Sequence, residues 1–239
     1  MSRLFLVRHG QASFLEQNYD KLSTVGEEQS RLLGEYWAQR HFTFTRVYSG
    51  PRTRQMETAR IVGETYARAN LPWPQVQVMR EFDEYSGEWV MEATLPALTE
   101  NDPEVRKLQQ AFLAAGSTSE KHKTFQHLFE AVITKWVRGQ LQVDNVESWP
   151  EFCRRVHHGL SQICNGNSRG ENVAIFSSGG PIGVTMQRAL DLSPENTLQA
   201  AWMARNCCFS EFLFSGSRFT LSSFNELPHL EDPALVTYR

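Results

Sequence analysis

Short apolar runs alternate with longer stretches of helical periodicity along most of the chain. The run from Leu4 to Val7 has no polar interruption, which is typical of a strand buried on both faces of a parallel sheet. The predicted strands cover residues 4–7, 46–49, 75–79, 172–176, 207–214 and 219–224. The last two flank a Ser-Gly-Ser turn and predict a hairpin. Strands that alternate with helices indicate an α/β fold, a three-layer sandwich with a mostly parallel central sheet flanked by helices.

Helix signals fill the gaps between these strands. Thr24 and Glu27 have the spacing of a capping box, and the pattern after them predicts a helix to about Arg40. Pro51 suits the first turn of a second helix, which ends near Ala69. Later helices are predicted from residue 147 to 163 and from the turn at 177–181 to about residue 190.

The middle of the chain is helical without a convincing strand, from residue 92 to about residue 140. The Gly-Ser-Thr-Ser sequence at 116–119 divides this stretch into two helices. We expect residues 92–145 to form a helical insertion, or cap, over the active edge of the sheet. All residues from 1 to 239 are then predicted to form one domain that contains this insertion.

Composition and charge narrow the possible partners and location. The formal net charge is -3 and the pI is near 6.2, which argues against nucleic acid as the main partner. No apolar run approaches the roughly 20 residues of a membrane span, and the run before Arg8 is too short for a signal-peptide core. The cysteines have neither C-x-x-C nor zinc-site spacing and are expected to be reduced thiols, which favours the cytoplasm. They are Cys153, Cys164, Cys207 and Cys208.

Polar residues follow the predicted strands at four places. Residues 8–10 follow the first strand, residues 49–54 the second, residues 81–84 the third and residues 177–180 the fourth. Ligand sites of open α/β sheets form just beyond the carboxyl ends of the strands, so these segments are expected to converge. A histidine beside a permanently charged arginine, as in Arg8-His9-Gly10, suits attack on an anionic group such as a phosphoryl. The alternative is a loop histidine that only follows a core strand.

Three of these segments, together with a later helix, carry a family resemblance. The sequence Leu6-Val7-Arg8-His9-Gly10-Gln11 resembles the N-terminal signature of the histidine phosphatase superfamily, which has the phosphoglycerate mutase-like fold. Residues 48–59 resemble the second signature, with Arg54 at the position of its arginine, four residues before Thr-Ala. Residues 82–87 resemble the segment that carries the family's acid, and residues 147–156 resemble the helix before the last core strand.

The resemblance implies a phosphomonoester hydrolase that needs neither a cofactor nor a metal ion. His9 is implied to be the nucleophile that forms a phosphohistidine, while Arg8, Arg54, Gly10 and Ser178 bind the phosphate. The residues agree with this role, because arginine N–H groups form paired hydrogen bonds with phosphoryl oxygens. The helix that starts near Pro51 is expected to point its N-terminus at the anion. The expected partner is a small phosphorylated substrate, a phosphoprotein or inorganic phosphate, and neither nucleic acid nor a membrane.

Two carboxylates compete for the role of general acid and base. Glu84 is preferred because Asp83-Glu84-Tyr85 aligns better with the family's acidic segment. Glu81 is the alternative, since it follows the predicted strand directly. Arg52 is two residues before Arg54, which on a helix places it on a different face, so a surface or rim position is expected.

One position departs from the family pattern. The turn after the last core strand usually carries a second histidine before Gly-Gly, and Ser178 stands there in this chain. A serine donates one hydrogen bond but carries no charge, and losing a charged contact is expected to cost on the order of 10²–10³ in rate. His157 and His158 are candidates to compensate. The departure keeps a catalytically weak phosphate-binding or interaction protein as an alternative. A phosphoglycerate mutase is less favoured, because residues 94–145 lack adjacent arginines.

Overall fold

The computed structural model describes residues 1–13, 20–165 and 170–238, and its strands form one sheet. The strand order is β3-β2-β4-β1-β5-β6. The first four strands in that order pair in parallel, whereas β5 is antiparallel to β1 and to β6, which confirms the mostly parallel α/β sheet. The strands are β1 (Ser2–Arg8), β2 (Arg46–Ser49), β3 (Val76–Val78), β4 (Asn172–Ser177), β5 (Phe209–Ser215) and β6 (Arg218–Glu226).

Helices flank this sheet and also form the middle of the chain. None of the described helices is long and apolar enough to cross a membrane. Single 3-10 turns occur at Arg80–Phe82 and Pro233–Leu235. The helices are α1 (Thr24–Gln39), α2 (Thr53–Arg68), α3 (Gly87–Asn101), α4 (Pro103–Ala114), α5 (Thr118–Val137), α6 (Trp149–Cys164), α7 (Gly179–Leu190) and α8 (Pro194–Met203).

The register of the central strands aligns the loops that carry the polar segments. β1 lies between β4 and β5, and Arg8 at its end is the partner of Ser177 in β4. Ser49 at the end of β2 is the partner of Phe176. Because these three strands are parallel, their carboxyl ends lie at one edge of the sheet. The residues that follow Arg8, Ser49 and Ser177 therefore begin side by side.

An aromatic core under α1 and α2 holds β1 and β2 in place. Phe5 of β1 contacts the rings of Trp37, Phe44 and Phe209 with edge-to-face or tilted geometry. Such pairs add about 0.5–1.5 kcal/mol each beyond the burial of their area. Leu4 and Leu6 are equally buried and, because side chains alternate along a strand, face the opposite side of the sheet. β1 is thus covered on both faces, as its apolar run predicts.

The helices of the middle and the end of the chain differ from the prediction. The stretch expected to form two helices forms three, because Asp102 ends α3 and its carboxylate accepts the N–H groups of Glu104 and Val105 at the start of α4. Periodicity also missed α8, which begins after Ser193 and has proline in its first turn. In both places a capping side chain followed by proline is the signal that starts a helix.

The chain divides into two compact units, Met1–Glu84 with Arg154–Arg239, and Tyr85–Cys153. The second unit contains α3, α4 and α5. Its aromatic core stacks Tyr85 on Trp136, and an ion pair of 2.8 Å joins Lys135 of α5 to Asp102. The placement of a cap over the active edge stays a prediction.

One buried histidine of the first unit ties folding to pH. His229 is only 7% exposed, its ring lies 6.3 Å from that of Tyr36, and neither ring nitrogen has a hydrogen-bond partner among the described residues. Burial disfavours the charged imidazolium and lowers the pKa of His229 to about 4.

We predict that His229 weakens the fold in acid. His229 takes up a proton near pH 6.5 in the unfolded chain but only near pH 4 in the folded chain. The stability that neutral His229 supports is therefore full above pH 6.5 and decreases as the pH falls toward 4. The difference corresponds to roughly 3 kcal/mol. Between pH 7 and pH 4.5, the free energy of unfolding measured with denaturant should fall less for His229→Phe than for wild type. The exposed His127, changed to Gln, is the control, and an equal loss in all three proteins would contradict the prediction.

Candidate active site

His9 is the first residue after β1 and is buried, with 5% of its surface exposed. Its backbone N–H donates to the carbonyl of Ser177 at 2.8 Å, which extends the β1–β4 ladder by one residue. The ring Nδ1 lies 2.7 Å from the carbonyl oxygen of Gly10. Because a carbonyl oxygen only accepts, Nδ1 carries the hydrogen in the neutral ring and Nε2 carries the lone pair. The ring is thus held in the tautomer whose nucleophilic atom is Nε2.

Arg54 approaches this nitrogen from the first turn of α2. Its Nε donates to His9 Nε2 at 3.1 Å, and its side chain is 5% exposed. Burial lowers the pKa of His9 well below 6.5, and the charges of Arg54 and then Arg8 lower it further. The hydrogen bond with Gly10 opposes this trend but does not reverse it. His9 is therefore neutral near pH 7, with its lone pair directed at a cation.

Asp20 binds the same arginine from the other side. Its Oδ1 accepts from Arg54 Nη1 at 2.8 Å, and its Oδ2 accepts the backbone N–H of Thr53 at 2.8 Å. The N-terminus of α2, expected to face phosphate, is thus bonded at Thr53 to a carboxylate of the protein itself. Sequence analysis did not single out Asp20, because its partners are more than 30 residues away and no local motif marks it.

Arg8 and Gly10 flank the nucleophile in sequence but have different surroundings. The guanidinium of Arg8 donates through Nη1 to the carbonyl of Ala204, just after α8, and its charge acts on His9. A Cβ on Gly10 would lie 2.4 Å from the carbonyl oxygen of Gly26 in α1, so only glycine allows this close approach. The Gly10 N–H donates to Thr58 Oγ1 at 3.0 Å. The structure thus gives Gly10 a packing role, and its phosphate contact stays a prediction.

Arg52 belongs to the same cluster, although sequence analysis placed it at the surface or rim. It is the N-cap of α2 and lies outside the helix, so the helical-face argument does not apply to it. Its Nε donates to Asp83 Oδ1 at 2.7 Å and its Nη2 to the carbonyl of Glu84 at 3.4 Å. Burial opposes the charge of Arg52, but Asp83 outweighs that effect and raises its pKa. Arg52 is therefore a charged, partly buried residue that also lowers the pKa of His9.

Ser178 is buried at the N-terminus of α7, where it is the N-cap. Its hydroxyl oxygen lies 2.8 Å from Nε2 of Gln55, which also donates to the carbonyl of Phe82 at 3.3 Å. Gln55 Oε1 accepts the backbone N–H of Arg52 at 3.1 Å. This fully buried amide joins the loops after β2, β3 and β4. Sequence analysis missed Gln55, because the N-cap three residues before it is Arg52 and not the Ser or Thr of a capping-box motif.

The two competing carboxylates lie in different surroundings. Both oxygens of Glu84 lie 3.1 Å from the backbone N–H of Gly180, in the first turn of α7 next to Ser178. Glu81 lies in the 3-10 turn, and its Cβ packs against Gly159 of α6. The structure therefore brings Glu84 beside Ser178 and directs the start of the Glu81 side chain toward α6.

The histidines considered as replacements for the missing one both lie on α6. His158 Nε2 is 2.9 Å from Gln162 Nε2, one turn along the same helix. His157 is half-buried, and burial lowers its pKa. No cluster of three or more His, Cys, Asp or Glu side chains within residues 1–13, 20–165 and 170–238 is arranged to hold a metal ion.

The fold matches solved structures of phosphatases and of a mutase over almost their whole length. An α-ribazole phosphatase from Shigella flexneri is 21% identical, with a TM-score of 0.63 and coverage of 94% of this chain and 96% of that one. A mutant phosphoserine phosphatase from Entamoeba histolytica, solved with phosphoserine, is 18% identical, with a TM-score of 0.63 and coverage of 96% and 100%. A phosphoglycerate mutase from Bacillus anthracis is 16% identical, with a TM-score of 0.60 and coverage of 96% and 95%.

The sequence itself gives the stronger assignment. A search of curated proteins finds no significant match. A family model of the histidine phosphatase superfamily (branch 1), however, matches residues 4–138 and 113–227, which together include β1, α2 and the turn at Ser178. Because these matches cover most of the chain, this protein is a member of the histidine phosphatase superfamily.

Proposed function

We propose that this protein is a metal-independent phosphomonoester hydrolase that works through a phosphohistidine on His9. The observation that carries the proposal is the hydrogen bond between Arg54 Nε and His9 Nε2 in a buried site. A nucleophile needs a lone pair, and because Nδ1 carries the hydrogen that it donates to the Gly10 carbonyl, that lone pair belongs to Nε2. For attack on phosphorus, the Arg54 N–H that Nε2 accepts would move to a phosphoryl oxygen. An anion that approaches Nε2 meets the Arg54 guanidinium at the same point.

Phosphate binding is proposed to use the cations and hydroxyl around His9. The phosphoryl oxygens would accept hydrogen bonds from Arg54 and Arg8, whose charges lie near the imidazole. The hydroxyl hydrogen of Ser178 would supply a neutral donor, because its oxygen already accepts from Gln55. These donors lie in a largely water-excluded site, where they would stabilise the charge that redistributes in the transition state.

The reaction is proposed to follow two displacements. In the first, the Nε2 lone pair of His9 forms a bond to phosphorus, the ester P–O bond breaks, and the leaving oxygen takes a proton from Glu84. In the second, Glu84 accepts a proton from water, the water oxygen bonds to phosphorus, and the N–P bond breaks to release phosphate and neutral His9. The Gly180 N–H, which lies 3.1 Å from both Glu84 oxygens, would hold the carboxyl group in place between the steps.

A small phosphorylated metabolite or a phosphoprotein is the substrate class that we propose. The structural relatives support a small molecule, since the Entamoeba histolytica phosphatase has been solved both with phosphoserine and with 3-phosphoglyceric acid. A mutase, which returns the phosphoryl group to its substrate, would need further paired cations for a second anionic group. The stretch of residues 94–145 has only scattered lysines and arginines.

One observation favours a second candidate, a phosphate-binding protein with weak turnover. Ser178 is buried and its oxygen accepts from Gln55, so the position carries no positive charge where the family pattern has a histidine. Binding without fast hydrolysis would follow if the cations around His9 hold phosphate but stabilise the transition state poorly. Turnover measurements distinguish the two candidates.

We predict that His9→Ala lowers turnover by about 10³-fold or more, because no other group replaces the nucleophile. Hydrolysis of p-nitrophenyl phosphate is measured from pH 5 to 8 with EDTA present, and circular dichroism and Tm check that the fold is kept. Wild-type activity that survives EDTA and is lost in the variant supports the mechanism. Equal rates in the two proteins would remove His9 as nucleophile, and phosphate binding without turnover in either would favour the second candidate.

We predict that Glu84→Gln slows hydrolysis by about 10²–10⁴-fold, whereas Glu81→Gln stays within a few-fold of wild type. The amide still accepts the Gly180 N–H but cannot supply a proton, so the loss should be smaller for substrates with a good leaving group. Comparing kcat/KM, which reports the first displacement, for p-nitrophenyl phosphate and an alkyl phosphate in both variants tests this. The opposite ranking of the two variants would move the acid to Glu81.

We predict that the His9 ring stays neutral at pH 6, with its hydrogen on Nδ1. Burial and the neighbouring arginines lower its pKa, so protonation, and with it loss of the nucleophile, occurs only well below pH 6.5. Nitrogen-15 NMR of the histidine rings, with His9→Ala to assign the signals, measures this directly. A His9 ring protonated on both nitrogens at pH 6 would contradict the prediction.

A further inference from the structure

Two fully buried amides hold the loop of residues 9–11, which we call the nucleophile loop. Gln29 of α1 accepts the backbone N–H of Gln11 through Oε1 at 2.8 Å. Asn206, between α8 and β5, donates through Nδ2 to the carbonyl of His9 at 3.4 Å. The Cys207 N–H donates to the same carbonyl at 3.1 Å. The backbone of the nucleophile loop therefore depends on where these two amides lie.

Both amides are held in turn by one short segment, residues 235–237. Gln29 Nε2 donates to the carbonyl of Leu235 at 2.7 Å and to Thr237 Oγ1 at 2.9 Å. The Thr237 hydroxyl donates to Asn206 Oδ1 at 3.0 Å, and the Asn206 backbone N–H donates to the carbonyl of Thr237 at 2.8 Å. One hydroxyl thus accepts from one amide and donates to the other.

These bonds also determine which way each amide faces. Gln29 must turn its oxygen to the Gln11 N–H and its nitrogen to Thr237, because a flipped amide would oppose donor to donor. Asn206 is oriented in the same way, with its oxygen toward Thr237 and its nitrogen toward His9. Buried amides that lose a partner move or draw in water, since an unpaired polar group is costly away from solvent. Losing the Thr237 hydroxyl therefore weakens both amide supports of the loop together, although Gln29 keeps its bond to the Leu235 carbonyl.

We propose that Thr237 is a positioning residue of the active site, which fixes the nucleophile loop through Gln29 and Asn206. It touches neither substrate nor the reacting atoms, and it acts by keeping the His9 ring in place for in-line attack. The effect on turnover rests on the proposed function of His9, whereas the effect on loop order does not. Small displacements matter here, because a misplacement of about 1 Å in a reacting group can cost about 10²-fold in rate.

The test compares Thr237→Val, which removes the hydroxyl at nearly constant shape, with Thr237→Ser, which keeps it. Thr45→Val is the matched control, since the Thr45 hydroxyl also joins two distant segments, donating to the carbonyl of Asn172 at 2.9 Å. For Thr237→Val we expect kcat to fall about tenfold with KM within about twofold. We also expect faster amide hydrogen exchange in residues 8–13. Thr237→Ser and Thr45→Val should stay near wild type in both measurements.

Each outcome decides the proposal. If Thr237→Val keeps wild-type exchange in residues 8–13 and wild-type kcat, Thr237 does not position the loop. If Tm falls but exchange rises evenly along the chain and Thr237→Ser does not rescue, the Thr237 side chain only stabilises the fold through its methyl group and the proposal is overturned. If the wild-type enzyme has no turnover, the proposed function fails, and the exchange experiment still decides whether Thr237 orders the loop.

Discussion

A guanidinium that is almost completely buried needs acceptors that replace water, and two of those that Arg54 uses differ in charge. Its Nε donates to the neutral Nε2 of His9, and its Nη1 donates to the carboxylate of Asp20. The first bond requires an unprotonated imidazole, since two positive groups in one buried site would repel each other strongly. The Gly10 carbonyl meets this requirement by holding the remaining hydrogen on Nδ1. The tautomer and orientation of the proposed nucleophile thus follow from its contacts with Gly10 and Arg54, and burial together with the neighbouring arginines lowers its pKa.

This contact exists because the sheet brings together segments distant in sequence. His9 directly follows β1, Arg54 lies in the first turn of α2 after β2, and Ser178 follows β4. Gln55, next to Arg54, connects α2 to the loops after β3 and β4 by its hydrogen bonds to Phe82 and Ser178. Each strand end therefore supplies one member of the site, and the parallel register determines which members become neighbours. The core around Phe5 stabilises that register far from the polar edge.

The sequence predicts those parts of the fold and site that a local pattern of residues determines. The buried run before His9 and the alternation of strands and helices predict the sheet, and the two motifs predict that His9 and Arg54 share one edge. Sequence analysis failed where a contact joins residues far apart in sequence, as with Asp20 and Arg54. The helical-face argument for Arg52 does not apply, because α2 begins at Thr53 rather than near Pro51, but its 26% exposed side chain is compatible with the expected rim position. Asn206 has no motif at all, since its importance depends on the distant Thr237.

The arginines and carboxylates of the site partly neutralise each other, which would affect the rate at which an anionic substrate reaches it. The cations Arg8, Arg52 and Arg54 share this edge with three carboxylates, of which Asp20 and Asp83 form direct ion pairs with arginines. The residual field of such paired charges is largely screened beyond about 8 Å at physiological ionic strength. Long-range steering of an anion toward this edge is then weak, and encounter depends mainly on free diffusion and contact. For the proposed hydrolase, lowering the salt concentration would therefore raise the association rate little, and phosphate esters would be discriminated only after contact.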